Sequence, residues 1–268
     1  MSEPDVVAIR AVLAGWLDRQ LAPSARDWLR EAEGSAGQDR DFFLKIGLVG
    51  RKVGRHDLAL TPEDLRQAEA ARSGWDPRGW SLDQAARVYL LLSAGDDVER
   101  LALRLDQLSA TAEIGELVTF LRGLPLYPGP EMHLRRAREG ARSNMKAAFC
   151  AVAHANPYPA ERFSEEAWNH MVLKALFIGV SLHPVQGLER RANPALARML
   201  CDYAHERWAA LRPVSPELWR CVGPFADDAA LADLERALAS RDEAERAGAA
   251  EALAASPHPG AAQVLARA

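Results

Sequence analysis

Cysteine is scarce in this chain. There are three in 268 residues, Cys150, Cys201 and Cys221, odd in number and widely spaced. No CxxC pair occurs, so neither a disulfide framework nor a cysteine metal knuckle is readable, and a reducing compartment fits. An excess of one charge is missing too: 33 Lys and Arg stand against 37 Asp and Glu, a formal net charge of -4. That balance argues against nucleic acid as a partner. No run of about 18 apolar residues occurs, so no membrane-spanning helix is expected. Met1 to Arg19 contains Glu3, Asp5 and Asp18 and lacks the basic-then-apolar layout of a secretory leader. A cytoplasmic protein is the expectation. No alternation of apolar and polar residues bounded by Asn-Gly or Asp-Gly marks a strand. GxxxxGK[ST], GxGxxG, GxSxG and HExxH are all absent, which removes the recognised nucleotide, nucleophile and zinc-protease signatures. No cofactor, metal or catalytic residue is assigned.

What is present is helical periodicity. Val6, Ile9, Val12, Leu13 and Trp16 form one stripe, closed by Pro23; Phe42, Phe43, Ile46 and Val49 form another. Thr61-Pro62-Glu63 is a helix start, with a hydroxyl for the orphan N–H groups and proline at the first position. GWDPRGW, residues 74–80, predicts a tight turn between two tryptophans, and Ser81 with Gln84 a capping box. Trp75 and Trp80 suit either stacking on a planar ligand or bracing that turn against the core. The basic cluster RKVGRHDL, residues 51–58, suits an anionic partner or a solvated helix end. GLPLYPGP, residues 123–130, holds three prolines and two glycines and is the best candidate for a break. The alanine-rich 242–265 segment has the helix–turn–helix cadence of a HEAT-type repeat.

These elements predict an all-α fold of stacked antiparallel helical hairpins, a HEAT-like α-solenoid without significant sheet. The expected divisions are 1–122, 131–226 and 227–268, within one continuous domain.

Polar chemistry concentrates between Trp168 and Arg212. Asn169, His170 and Lys174 lie on one predicted helix, with His170 and Lys174 one turn apart; on a cleft wall they could grip a polar or anionic ligand. Asp202, His205 and Glu206 share a polar face of the next helix. They could supply carboxylate and imidazole metal ligands or an acid–base pair, or form an exposed salt-bridged face with Arg198 and Arg207. The intervening loop carries His183, Arg190, Arg191 and Asn193, and paired arginines near a helix start suit phosphate or carboxylate.

The runs FLKIGLVGRKVGR, RSGWDPRGWSLDQAARVYLLL, NPYPAERFSEEAWNHMVLKALFIG and LHPVQGLERRANPALARMLCDYAHERWAALRPVSPELWRCVGPF resemble the EboA family, the metabolite traffic proteins. The resemblance spans about residues 40 to 226. It implies a bacterial cytoplasmic protein encoded beside a UbiA-type prenyltransferase and TIM-barrel proteins, in an operon associated with moving a secondary-metabolite precursor towards the periplasm. It brings no established reaction and no catalytic residues. Asn169, His170, Lys174, His183, Arg191, Asn193, Asp202, His205, Glu206 and Arg207 fall inside these motifs and are the expected ligand-binding set. The expectation is a non-catalytic scaffold or carrier for a small anionic or lipid-linked metabolite, or for partner proteins of the operon, including the membrane prenyltransferase. The alternatives are an enzyme using His170, Asp202, His205 and Glu206, and an adaptor working through the C-terminal repeat.

Overall fold

In the computed structural model the described residues are 3–35, 37–94 and 97–267, and they form helices, turns and loops with no strand among them. The all-α expectation holds. One isolated antiparallel bridge pairs Asp57 with Ser81.

The chain divides into two compact units, Met1–Arg162 and Phe163–Ala268. In the first, α1 (Val6–Gln20), α2 (Pro23–Gly34), α3 (Asp39–Lys52), α4 (Pro62–Ala71) and α5 (Leu82–Leu92) precede α6 (Val98–Thr111), α7 (Ile114–Arg122), α8 (Leu134–Arg142), α9 (Lys146–Ala153) and α10 (Tyr158–Arg162). The start signals work as their chemistry demands. Thr61 Oγ1 accepts the Asp64 N–H at 3.2 Å while Asp64 Oδ2 accepts the Thr61 N–H at 2.9 Å, so two orphan donors are satisfied reciprocally. Asp97 caps α6 through the Arg100 N–H at 2.9 Å.

The tryptophan turn is built into the core. Trp75 and Trp80 are buried; Trp16 and Trp75 lie 5.2 Å apart and Trp75 and Trp80 6.1 Å apart between ring centroids. Gly79, at φ +70°, allows the reversal. The rings therefore brace the turn and leave no open face for a planar ligand. The basic stretch lies on its outer edge: the Leu58 N–H donates to Trp80 O and the Leu82 N–H to His56 O, both at 2.8 Å, while Arg51, Lys52, Arg55 and His56 stay exposed.

Residues 123–130, expected as a break, are instead part of the first unit's interior. They form short 3-10 turns at Leu124–Leu126 and from Pro130, with Leu124, Leu126 and Tyr127 fully buried. Prolines marked the irregular backbone; the leucines and the tyrosine between them decided its burial.

The second unit contains α11 (Glu165–Phe177), α12 (Leu188–Arg191), α13 (Pro194–Ala209), α14 (Trp219–Val222), α15 (Asp228–Leu238), α16 (Glu243–Ala254) and α17 (Ala261–Leu265). The 242–265 segment folds as α16, a turn and the short α17, and α16 packs on α15, on α14 and on the turns flanking α14. Two glycines permit that approach. A Cβ on Gly248 would sit 2.7 Å from Pro216 O, and one on Gly223 would sit 2.4 Å from Ala252 O.

Candidate functional site

The two helices that carry the polar motif are tied near their starts and again further along. Asn193 caps α13, its Oδ1 accepting the Leu196 N–H at 2.8 Å. That fixes the amide's orientation, and its Nδ2 donates to Asn169 Oδ1 at 2.9 Å and to Arg191 O at 3.1 Å. Asn169, buried on α11, returns a bond from Nδ2 to Asn193 Oδ1 at 3.2 Å. Further along both helices, the Tyr203 hydroxyl donates to Leu176 O at 3.2 Å. Residue numbers rise together at the two ties, so α11 and α13 run in the same direction. The antiparallel expectation fails for this pair because its connection, residues 178–193, is long enough to return along α11 and includes α12.

Arg191 is held by the same joint. Its Nη2 donates to Phe163 O at 2.9 Å, and its guanidinium lies 5.0 Å from the centroid of the buried Trp168 ring. His183 is exposed on the loop, with its backbone N–H on Ser181 Oγ at 3.1 Å. Lys174 is half-buried on α11. Arg207 Nε donates to Pro213 O at 3.0 Å and closes the end of α13.

His205 finds a partner outside the motif. Its Nε2 lies 2.6 Å from Asp233 Oδ1 on α15, with the imidazole about half exposed at 53%. Asp202 and Glu206 are exposed on α13 and His170 is exposed on α11. The side chains of these three make no hydrogen bond or ion pair with other described residues. Among the described residues no three His, Cys, Asp or Glu side chains are placed to share a metal ion.

Sequence reasoning passed over the groups that organise the far end of α13. Trp208 stacks on Trp219 at 5.9 Å and lies under the Arg236 guanidinium at 4.2 Å. Its indole N–H donates to Glu245 Oε1 at 3.1 Å. Glu245 is buried and also accepts from Ser240 Oγ at 2.6 Å, so its charge is held by hydrogen bonds. Asp233 and Glu245 lie 28 and 37 residues from their partners in the chain. Only the exception to a helical pattern, a carboxylate on an apolar stripe, could have flagged Glu245. Burial pushes Cys201 and Cys221 each up to about 12, with the charge of Asp233 and a hydrogen bond to it adding to the effect at Cys201, and this keeps both thiols protonated and unreactive.

A family model described as metabolite traffic protein EboA matches residues 9–223 of the chain. No curated protein and no solved structure matches it.

Proposed function

The chain belongs to the EboA family of metabolite traffic proteins, and on that premise we propose that it is a non-catalytic helical scaffold or carrier for a secondary-metabolite precursor. In this reading it works in the bacterial cytoplasm. It handles a small or lipid-linked metabolite and docks on other products of its operon, among them the membrane prenyltransferase. Its helical hairpins stack in a HEAT-like solenoid that provides the docking surface. No described helix is long and apolar enough to cross a membrane, so contact with a membrane enzyme has to come through a docking face.

The observation that carries the reading is how the motif spends its polar groups. Asn169, Asn193, Arg191 and Arg207 hold backbone and helix ends in place. His170, His183, Asp202, His205 and Glu206 point outward, and Lys174 lies on the same helix as His170. A rigid joint that presents polar side chains to a partner suits recognition better than it suits bond chemistry, which requires converging groups. Leu211 adds support. It is 95% exposed at φ +54°, an apolar side chain kept in water in a conformation that favours glycine.

The test is co-purification of the tagged protein with each operon product, the prenyltransferase included in detergent micelles. We expect at least one to elute with it, and weaker elution with the His170→Ala/Glu206→Ala double variant. Elution of none, with every product folded, removes the reading.

One contact favours a second reading. The His205–Asp233 pair has the geometry of an oriented imidazole base. An enzyme of this kind would lose turnover in both His205→Ala and Asp233→Asn while keeping its partners; equal turnover in all three proteins excludes it.

A further inference from the structure

The basic stretch that closes α3 has no place in the carrier role. On α3 itself, Arg40, Leu44, Gly47, Leu48 and Arg51 recur at helical spacing and share one face. That face is turned to solvent, while Phe42, Ile46 and Val49 opposite it are buried. Arg40 and Arg51 are exposed, Leu48 is half-buried and Leu44 is 61% exposed. Gly47 has nothing within 4 Å of where a Cβ would stand, so the middle of the face is open. Lys52 is exposed at its border. Arg55 follows the helix end and folds back over Gly50, where a Cβ would lie 3.0 Å from Arg55 Nε.

These cations lack the carboxylates that other basic groups nearby have found. Lys45 is paired with Glu31, and Asp39 is held by Arg100 and Arg104. The side chains of Arg40, Arg51 and Arg55 make no hydrogen bond or ion pair with the described residues. Lys52 reaches Glu31 only through its charge. The carboxylates left to oppose them on the same stretch are Asp41 and Asp57. The helix dipole accounts for part of the pattern, since Arg51 and Lys52 lie in the last turn of α3, where a cation is favoured. Arg40 lies in the first turn, where a cation is disfavoured, and Leu44 holds an apolar side chain in water between the two arginines. Neither the dipole nor the core accounts for Arg40 or Leu44.

We propose that this face of α3 docks on an anionic lipid surface. Arg40, Arg51, Lys52 and Arg55 lie against lipid phosphates, and Leu44, with Leu48 beside it, enters the boundary between headgroups and acyl chains. Two features favour lipid over an acidic protein. The cations are not ordered by hydrogen bonds, and a fluid sheet of charge asks for charge density where a protein carboxylate asks for a fixed fork. The exposed leucine stands among those cations, which matches a surface charged outside and hydrocarbon within. Nucleic acid would use the cations and leave the leucine in water. Docking of this kind does not depend on carriage of a metabolite.

The test is flotation of the full chain with vesicles. We expect it to rise with vesicles of equimolar phosphatidylcholine and phosphatidylglycerol and to stay in the bulk with phosphatidylcholine alone. One cation near an anionic surface contributes about fivefold in partitioning. Arg40→Glu removes one and adds an opposing charge, so it should weaken binding about 25-fold. The new carboxylate stands in the first turn, where the helix dipole favours it, so α3 stays folded. Leu44→Ala, an exposed change to a better helix former, should weaken binding about tenfold. Arg241→Glu, the same charge change at an exposed site in the second unit, should leave binding as it is. The proposal is overturned if the chain floats with neither vesicle, if it floats equally with both, or if Arg40→Glu and Leu44→Ala float like wild type. It is also overturned if soluble polyglutamate binds the chain through Arg40 while the vesicles do not, which assigns the face to an acidic protein. Partner capture measured in parallel separates this face from the carrier reading. Flotation without capture removes that reading alone, and capture without flotation removes the lipid face alone.

Discussion

Leu211 is the residue whose backbone and side chain both oppose their surroundings. It follows α13 in the left-handed region, and the Arg212 N–H reaches back to Arg207 O at 2.9 Å, the closing bond of a helix end that normally takes glycine. The strain is about 1–2 kcal/mol for a residue with a Cβ, and glycine returns part of it as unfolded-chain entropy, about 0.5–1 kcal/mol. Leu211→Gly should therefore gain about 0.5–1 kcal/mol in urea unfolding, and under the docking reading it should capture partners less well. A variant that is more stable with undiminished capture leaves Leu211 without a role in docking. The Asn169–Asn193 joint works in the opposite direction. Asn193→Ala removes a cap worth about 1 kcal/mol and strands the buried Asn169 amide, a further ~1–3 kcal/mol. Because the two residues share their bonds, the double alanine variant should lose clearly less than the sum of the single losses; additivity would show that the joint carries no coupling. The cap at Asn193 is a device local to the chain, an asparagine followed by proline at the first helical position. The partner Asn169, 24 residues earlier, was legible only as a polar residue on a helix, because its use depends on α11 and α13 running side by side.

At the scale of elements, the second unit depends on close approaches that a hydropathy pattern does not encode. Gly248 on α16 faces the backbone of Pro216, so Gly248→Ala must push two backbones apart and should cost about 1–3 kcal/mol despite alanine's better helix propensity. An unchanged urea midpoint would show that α16 is free to shift. The same packing makes the three last helices integral to their unit. Trp208 on α13 depends on Glu245 of α16 and Arg236 of α15, and Trp219 lies beneath that stack. Truncation after Phe225 should leave Trp219 more exposed, visible as a red-shifted tryptophan emission. A spectrum like wild type's would mean α13 and α14 hold their packing alone. The helix starts at Thr61 and Ser81 were readable because a capping box is a sequence-local device. A cavity of about 350 Å³ between α6, α7, α8 and α9 was not readable: its lining comes from four helices, and Ser109, Arg136 and Leu121 line it together only through tertiary packing. The break expected at 123–130 fails for a related reason, since proline and glycine report backbone irregularity but not which side chains the core takes up.

Across the whole molecule, the response to acid divides into windows set by different groups. His133 is fully buried, and its pKa is lowered from 6.5 to about 4, first by burial and then by the Arg136 charge beside it. Its Nδ1 accepts from Arg136 Nη1 at 2.9 Å and its Nε2 donates to Pro128 O at 3.0 Å, so a protonated ring would turn Nδ1–H against the guanidinium donor it now accepts from. At pH above 6.5 the ring is neutral in both folded and unfolded chains, and its full contribution is present. As pH falls from 6.5 towards 4, the unfolded chain takes up a proton that the folded chain refuses, so stability is lost through that window at about 1.4 kcal/mol per pH unit. The carboxylates act lower. Asp64 and Asp76 are held below their ordinary 3.8, Asp64 by the Thr61 backbone and hydroxyl and by Arg19, Asp76 by Arg78, against the opposing pull of burial. Their contribution is present above 3.8 and is lost only as pH falls beneath it. His133→Asn separates the two windows, because its side-chain oxygen can accept from Arg136 and its amide can donate to Pro128 O without titrating. Denaturant titrations of both proteins at pH 7 and pH 5 should show the variant less stable at pH 7. The gap should narrow by about 2 kcal/mol at pH 5, since the unshared part of the acid response is that of His133 alone. A gap that stays constant across those two pH values would mean that the buried ring protonates in the folded chain as readily as in water, and Arg136 could not then be held by a neutral imidazole.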